Sequence, residues 1–411
     1  MKKENTEAVK AEEKKTRGLQ DFLKKDAVQS VIASLICIAG GIFVGFLVML
    51  LLSAFSSDVS PAESLKGLRI LLGGPFSSGS SQNILFIFGD MILESTPLIM
   101  TGLSVAVAFK TGLFNIGAPG QYLVGAAASL IVALSIPTTE ATAFWVWLLA
   151  FIVGMLAGMV WGAIPGFFKA YLGVNEVIVC IMTNWIAANL VSWIFDASGN
   201  LYKNIAETKV NFVRKTITNG VMTPRLGLDK LFPGSHIDIS IFIAILFAVL
   251  IWIMLNKTTF GYEIKACGFN KDASKYAGMN EKRNIVLSMV IAGGLAAAGA
   301  ALWYLNGYND FNWSTYSSLP DNGFNGIPAA LLANSNPIGV IFSSIFLRYI
   351  EKGGFNLQFT SYNEYVSQLV IAMIIYFAGF ARFIREVIVS RKKKTNSAKQ
   401  IKSADEGKGK E

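Results

Sequence analysis

Residues 111–122 read TGLFNIGAPGQY, a stretch in which amide side chains are interspersed with glycine and proline between two long apolar runs. Asn115 and Gln121 each donate and accept hydrogen bonds, which suits the recognition of an uncharged polar ligand. The same side-chain chemistry recurs near other predicted helix ends, at Asn175, Asn184 and Asn325. A buried Asn can equally bond the backbone of a neighbouring helix, so both interpretations stay open.

Three carboxylates lie inside or beside apolar runs. Asp90 and Glu94 are four residues apart, on one face of a predicted helix, and Glu176 stands at the start of another. An acidic side chain at the bilayer centre costs about 2.5–3.5 kcal/mol on insertion scales, so these positions are candidate proton or cation sites. Asp90 lies close to the start of its run and also fits the membrane interface.

Other chemistries are poorly represented in this sequence. One His and three Cys (Cys37, Cys180 and Cys267) without paired spacing predict neither a metal site nor a disulfide framework. The chain has no G-x-x-x-x-G-K-[ST] phosphate cradle and no nucleophile elbow. The net charge of +9 comes mainly from chain ends and short loops, which disfavours nucleic acid as a partner. We therefore expect no cofactor and disfavour a membrane-embedded enzyme.

The elements that position these residues are predicted to be membrane helices. The chain is 53% hydrophobic and only 15% charged, whereas soluble domains are roughly 25% charged. Apolar runs of about 20 residues are long enough to cross a hydrocarbon core. Eight such spans are predicted: 31–54, 84–109, 117–136, 143–168, 177–195, 239–255, 285–305 and 366–383.

Segment 323–350 forms either one long span or two short ones, because Asn334, Ser335, Asn336 and Pro337 give a turn signal at its centre. Lys and Arg cluster at both ends of the chain, which favours cytoplasmic termini and therefore an even number of crossings. Splitting the segment satisfies this requirement. The predicted fold is an all-α polytopic membrane protein of about ten transmembrane helices, some short or broken, with both termini cytoplasmic.

The predicted organisation has three parts. A basic cytoplasmic tail (1–30) precedes a transmembrane domain (31–385), and a charged cytoplasmic tail (386–411) follows it. The transmembrane domain includes an outer loop at 196–238 and a cytoplasmic loop at 256–284. Small residues in the fourth and seventh spans predict faces where helices pack closely: Gly154, Gly158, Gly162 and Gly166 in the fourth, and the Gly/Ala run 293–301 in the seventh.

A possible inverted repeat relates spans two to five with spans seven to ten. FNIG at 114–117 recurs as FNGI at 324–327, and NEV at 175–177 recurs as NEY at 363–365. In the predicted topology the members of each pair enter the membrane from opposite sides, and inverted repeats typically bring broken helices together at a transport path. Matches this short also arise by chance, so the repeat is a hypothesis.

Four segments carry a resemblance to a known family: TGLFNIGAPGQYLVGA (111–126), VNEVIVCIMTNWIA (174–187), GYEIKACGFNKDASKYAGMN (261–280) and GFNGIPAALLANSNPIG (323–339). Their order and spacing are similar to those of permease subunits of ABC importers in the sugar and branched-chain amino-acid superfamily. The chain most resembles the branch that takes up nucleosides. The resemblance covers roughly residues 84–385. The family commonly has an acidic residue where this chain has Pro119, so any role of that carboxylate lacks a counterpart here.

The resemblance implies a non-catalytic, multi-pass subunit of the cell membrane that moves nucleosides by alternating access. The implied partners are ABC ATPase subunits, a second permease subunit, identical or not, and an extracytoplasmic solute-binding lipoprotein that docks near the outer loop. For the solute path we expect uncharged groups that suit ribose hydroxyls and base edges, with Glu176 beside them. The candidates are Asn115, Gln121, Asn175, Glu176, Asn184 and Asn325.

The resemblance also implies that loop 256–284 contains the coupling helix, which docks in a cleft of the ATPase. A basic loop alone is more often a solvated anchor that faces the cytoplasm. The candidate coupling residues are Gly268, Asn270, Ala273, Tyr276, Ala277 and Gly278.

Two alternatives remain at this point. One is an importer for ribose-like sugars or other small neutral solutes. The other is a secondary carrier that uses Asp90, Glu94 or Glu176 as proton or cation sites.

Overall fold

The structure is a computed structural model that describes residues 26–55, 61–78, 81–198, 212–213, 221–313, 319–359, 362, 365–380, 383–384 and 387. Most of both predicted tails, parts of the predicted outer loop, and Asn363 and Glu364 of the second repeat motif lie outside these residues.

The described chain is mainly helical, as predicted. Its helices are α1 (Asp26–Phe55), α2 (Pro61–Gly73), α3 (Ser81–Lys110), α4 (Ala118–Ser135), α5 (Glu140–Leu172), α6 (Glu176–Ala197), α7 (Leu228–Leu231), α8 (Ser240–Lys257), α9 (Thr259–Phe269), α10 (Lys271–Tyr276), α11 (Glu281–Tyr304), α12 (Asp321–Phe324), α13 (Gly326–Leu332), α14 (Pro337–Phe355) and α15 (Tyr365–Ala378). Short 3-10 turns follow α2 and α14, at Gly74–Ser78 and Asn356–Phe359. Two short strands, β1 (Phe212–Val213) and β2 (Phe311–Asn312), pair antiparallel with Phe212 opposite Asn312.

Seven of the described helices are long and apolar enough to cross a membrane, and they correspond to the first seven predicted spans. Segments Asp321–Leu332 and Pro337–Phe355 meet at a bend of 118°. The bend lies at the predicted turn, where Asn334 and Ser335 have φ values of 50° and 53°. Counting the bent pair as one span gives eight. The count of ten and the cytoplasmic position of the termini remain predictions.

Asparagine side chains begin several helices, because they accept a hydrogen bond from a backbone N–H that has no partner within the helix. Asn175 caps α6, Asn270 caps α10, Asn280 caps α11 and Asn336 caps α14.

Helix α2 was not predicted from the sequence. Its 13 residues include Glu63, Lys66 and Arg69, and this short polar composition gives no signal for a span.

The structure divides into two compact units, and the larger runs from Leu65 to Ser367. In this unit α3 and α11 are the most buried spans. The predicted small-residue faces of α5 and α11 pack against each other. A Cβ on Gly162 would lie 3.0 Å from the Cα of Gly293, and a Cβ on Gly158 would overlap Ala297. Because these glycines have no side chains, the backbones of α5 and α11 come into direct contact.

Connections between helices in this unit group at two ends. At one end the Lys282 ammonium lies 5.2 Å from the centre of the Tyr171 ring, so the start of α11 meets the end of α5. At the other end the Trp147 indole donates to the Thr223 hydroxyl at 3.0 Å, which in turn donates to the Leu305 carbonyl at 3.0 Å. These contacts agree with the prediction that successive connections lie at opposite ends of the helices.

The smaller unit combines Met1–Ser64 with Gln368–Glu411. Within its described residues α1 packs on the last helix through glycine. A Cβ on Gly41 would overlap the Ile374 backbone, and a Cβ on Gly45 would lie 2.9 Å from a Val370 methyl group.

Candidate functional site

The first feature of the site is the non-helical segment 111–117 between α3 and α4 together with the start of α4; we term residues 111–121 the first break. Asn115 in this segment and Gln121 in the first turns of α4 form a reciprocal amide pair. The Asn115 Nδ2 donates to Gln121 Oε1 at 2.9 Å, and the Gln121 Nε2 donates to Asn115 Oδ1 at 3.1 Å. Asn115 Nδ2 also donates to the Ser104 hydroxyl at 3.1 Å. Both amides are buried, and their mutual bonds satisfy them inside the bundle.

Asn184 of α6 holds the first break from the side. Its Oδ1 accepts from the Gly120 backbone N–H, and its Nδ2 donates to the Ile116 carbonyl, both at 2.9 Å. These two bonds satisfy backbone groups at a helix start, which must find partners at membrane depth. A Cβ on Gly120 would lie 2.7 Å from Asn184 Oδ1, so glycine gives this amide room to approach.

The second feature is the segment 321–325, which we term the second break, consisting of α12 and Asn325. It lies against the first turn of α4. Gly323 packs on Pro119 so closely that a Cβ would overlap the Pro119 backbone. Proline is well tolerated in the first turn of a helix, where its missing N–H would lack a partner anyway. Pro119, where the resemblance led us to expect an acidic residue, is therefore a packing contact here. The breaks meet, as the inverted-repeat hypothesis requires; the repeat itself remains a hypothesis.

Asn325 differs from the amides of the first break. It is half-buried and precedes α13, but its side chain makes no capping bond. Its backbone N–H donates to the Asp321 carbonyl at 2.8 Å, but no hydrogen bond joins its side chain to any residue that the structure describes. Among the predicted amides it therefore has the greatest freedom to bond a solute.

Arg348 of α14 was not identified from the sequence. Only 7% of this residue is exposed. Its Nη2 donates to Asn322 Oδ1 at 2.6 Å, and its Nη1 pairs with Glu351 Oε2 at 2.7 Å. Asn322 Nδ2 in turn donates to the Tyr122 hydroxyl at 3.4 Å. Arg348 therefore links α14, the second break and α4. An arginine within an apolar run was a visible signal, because such residues are functional candidates by default.

Asn175 and Glu176 lie at the start of α6 and make local contacts. Asn175 is exposed and accepts from the Val177 backbone N–H at 2.9 Å. Glu176 forms a 2.7 Å ion pair with Lys169 of α5. Among the described residues, no hydrogen bond connects either side chain to the amides of the first break.

Asp90 and Glu94 also have partners. Asp90 Oδ1 accepts from the His236 backbone N–H at 2.8 Å and lies 3.3 Å from the His236 ring. His236 belongs to the predicted outer loop, so Asp90 lies toward that end of α3. Glu94 forms a 2.7 Å ion pair with Lys352 of α14.

The predicted coupling loop folds into α9 and α10. Asn270 lies between them and accepts from the Ala273 backbone N–H at 3.0 Å. All six candidate coupling residues are exposed. Tyr276 is 94% exposed and neighbouring Phe269 is 88% exposed, so an aromatic surface faces away from the bundle. Large exposed apolar groups of this kind typically mark a protein interface.

The inner side of this segment touches the first break. A Cβ on Gly268 would overlap the Lys110 carbonyl and lie 3.1 Å from the Gly112 nitrogen. Gly112 has a φ of +73°, which an L-residue adopts only with strain. Two glycine backbones thus join α9 directly to the turn that leads into Asn115.

Polar breaks that meet inside a bundle of spanning helices are typical of membrane permeases. Residues 87–379 match the family described as the permease component of branched-chain amino acid transport systems, and the chain belongs to this family. It is a multi-pass protein of the cell membrane. Permeases of ABC transporters are generally non-catalytic, and membership implies an ATPase and a solute-binding protein as partners.

Three relatives illustrate the similarity. The nucleoside ABC transporter permease protein NupB of Lactococcus lactis is 34% identical over 92% of this chain and 98% of its own length. The guanosine ABC transporter permease protein NupP of Bacillus subtilis is 34% identical over 89% of this chain and 97% of its own length. The glucose ABC transporter permease protein TsgB13 of Haloferax volcanii is 26% identical over 72% of this chain and 77% of its own length. No solved structure matches the chain at a significant level.

Proposed function

We propose that this chain is a membrane subunit of an ATP-driven importer that moves nucleosides into the cell by alternating access. Two relatives that align with nearly its whole length are named for nucleoside or guanosine transport. The observation that carries the proposal is the contact between Gly268 and the turn at Lys110 and Gly112. Through this backbone contact, a displacement of α9 also displaces the first break.

The ATPase docks on the exposed face of α9 and α10. Tyr276 and Phe269 supply apolar area, while Lys271, Asp272 and Lys275 supply a polar rim. ATP binding on the partner moves this segment, and the first break moves with it.

The solute passes the meeting point of the two breaks. The groups close to that point are uncharged amides and tyrosines, together with Arg348 and its counter-ion Glu351. Such an environment has little net charge and many donors and acceptors, which suits a neutral polar solute.

Two further partners belong to the proposal. A second permease subunit completes the passage, because a single subunit supplies half of its wall. An extracytoplasmic binding protein delivers the solute to the end of the bundle that carries the outer loop, 196–238. Nucleic acid is not a partner.

The alternatives receive less support. Asp90, Glu94 and Glu176 each face a cation or the His236 ring, whereas a proton-driven carrier needs a carboxylate that is free to bind its coupling ion. The sugar alternative rests on sugar permeases that align with less of the chain than the nucleoside relatives do, such as the glucose permease at 72%.

The experiment is uptake by vesicles that contain the complete complex. ATP is enclosed with the ATPase, and labelled nucleoside and binding protein are added outside. We expect nucleoside accumulation that requires ATP and persists when an uncoupler collapses the proton gradient. Loss of uptake with the uncoupler while ATP remains would contradict the proposal, and accumulation of ribose or glucose but not nucleoside would favour a sugar importer.

A further inference from the structure

Arg348 carries more hydrogen-bonding capacity than the described protein uses. A guanidinium has five N–H donors in a rigid plane. Glu351 engages Nη1 and Asn322 engages Nη2, while the buried Nε has no partner among the described residues. A buried donor without an acceptor is costly, so its retention requires an explanation.

A second unsatisfied group lies on the same face of α14. Ser344 precedes Arg348 by four residues, a spacing that places two side chains next to each other on a helix. Its hydroxyl is fully buried and also has no partner in the part of the chain that the structure describes. One helix face therefore presents an unused N–H donor and an unused hydroxyl, one turn apart.

Aromatic rings border this cluster. Asn322 connects Arg348 to the Tyr122 hydroxyl. The Tyr122 ring packs edge-to-face on Tyr304, with ring centres 6.2 Å apart. The cluster thus places unused hydrogen-bond donors beside aromatic side chains, of which Tyr122 is fully buried in the protein.

We propose that Arg348 contacts the transported solute and selects 6-oxopurine nucleosides by their O6 and N7 atoms. The inference rests on the proposed function and adds the solute class and the residue that recognises it. The Nε edge of a guanidinium donates two parallel bonds to adjacent acceptors, and guanine presents O6 and N7 in this arrangement. Adenine presents its N6 amino donor beside N7, so only one Arg348 N–H finds an acceptor. The other Arg348 N–H would face the adenine amino group, and two donors repel each other.

The charge of the cluster favours a nucleoside over a nucleotide. Glu351 lies 2.7 Å from Arg348 and balances its charge. A phosphate would add negative charge next to this carboxylate, and like charges disfavour each other. The unused Ser344 hydroxyl acts in the proposal as a second donor to O6, a bond that the amino group of adenine does not accept.

The test compares initial uptake rates of labelled guanosine, inosine and adenosine by the complete complex in vesicles. Arg348→Lys keeps the charge and loses the planar fork. We expect the variant to lower the guanosine and inosine rates relative to adenosine by roughly tenfold, in keeping with the discrimination of one bidentate pair. The same binding protein delivers every solute to both proteins, so its own preference cancels in the variant-to-wild-type ratio.

Lys352→Gln is the matched control, because Lys352 is a second cation on α14 and pairs with Glu94. It should lower all three rates by the same factor. An unchanged guanosine-to-adenosine ratio in an assembled Arg348→Lys complex would overturn the inference and leave Arg348 with a structural role. A wild-type complex that moves no nucleoside would instead refute the proposed function.

A second variant covers the case in which Arg348→Lys does not assemble with the ATPase. Ser344→Ala removes one hydroxyl and leaves the guanidinium and its bonds in place. We expect it to lower guanosine and inosine uptake relative to adenosine by a few-fold. If its ratio also equals that of the wild type, the selection does not occur at this helix face.

Discussion

The two breaks meet in the bundle but differ in how their polar groups are satisfied. At the first break the amides of Asn115, Gln121 and the neighbouring Asn184 of α6 are at most 2% exposed, and every one of them bonds protein. At the second break Asn325 is half-buried and makes no side-chain bond within the described residues, and Arg348 retains an unpaired Nε. A closed hydrogen-bond network fixes one conformation, whereas unused donors and acceptors leave capacity for a solute.

Under the proposed function, the difference suits the two regions to separate tasks. The first break has its amides fully bonded and touches the predicted coupling segment at Gly268, which suits the transmission of movement. The second break packs against the first break at Pro119. The side chains with unused hydrogen-bonding groups lie in it or contact it. Movement that reaches the first break would therefore change the shape of the solute site without a flexible element in between.

The largest expected effect is the loss of stability caused by Asn184→Leu. Leucine has a similar size but leaves the Gly120 N–H and the Ile116 carbonyl without partners. Each orphaned group costs about 1–3 kcal/mol, so we expect the free energy of unfolding to fall by roughly 2–6 kcal/mol. The measurement is the thermal midpoint of the subunit in detergent, with uptake of all nucleosides lost together.

Asn325→Leu is the matched control for Asn184→Leu. No described residue depends on its amide, so the free energy of unfolding should change by about 0.5 kcal/mol or less. Nucleoside uptake should nevertheless fall. Equal destabilisation by the two variants would show that the second break is as closed as the first.

The next effect concerns transmission, and Gly268→Val tests it. A side chain at this position would push α9 away from Lys110 and Gly112. We expect the ATPase to co-purify and hydrolyse ATP, while uptake falls by roughly tenfold because the two sites are no longer coupled. The ratio of solute moved to ATP hydrolysed measures this change.

Gly278 provides the contrast to Gly268. Nothing lies within 4 Å of a Cβ at Gly278, although its φ is +80°. Gly278→Ala should therefore cost only about 1–2 kcal/mol of backbone strain and preserve uptake. Gly278→Trp should block docking, so that the ATPase no longer co-purifies. Normal coupling in Gly268→Val would contradict the proposed route of transmission.

Much of this architecture could be predicted from local sequence signals. Hydropathy located seven spanning helices, and the Asn-Ser-Asn-Pro cluster located the bend before α14. The glycine row of α5 and the Gly/Ala run of α11 predicted close packing faces. These features depend on residue size, apolarity and turn chemistry, which act over a few neighbouring residues.

The pairing of polar groups could not be predicted in the same way. Asn184 bonds a backbone N–H that is 64 residues away in sequence, and Arg348 bonds an amide 26 residues away. Such partners depend on how helices pack in three dimensions. The sequence located Asn115, Gln121 and Asn184 near predicted helix ends, and their place in the solute path stays a prediction; only the structure distinguishes their closed network from the open side chain of Asn325.

A smaller effect than that of Asn184→Leu is expected from the coupling between Asn115 and Gln121, studied as a double-mutant cycle. Either single change to Leu leaves the other amide with unsatisfied groups, at a cost of about 1–3 kcal/mol. The double variant replaces both amides by apolar side chains of similar size. It should therefore be more stable than the sum of the single effects by roughly 1–2 kcal/mol.

Thermal midpoints of the four proteins in detergent measure this coupling, and nucleoside uptake by the double variant separates the two roles of the pair. If the amides only hold the first break, the stable double variant should retain most of its uptake. If they contact solute, uptake should be lost although the fold is intact. Strictly additive destabilisation would mean that the reciprocal bonds contribute little, and the rigidity assigned to the first break would then have to come from Asn184 alone.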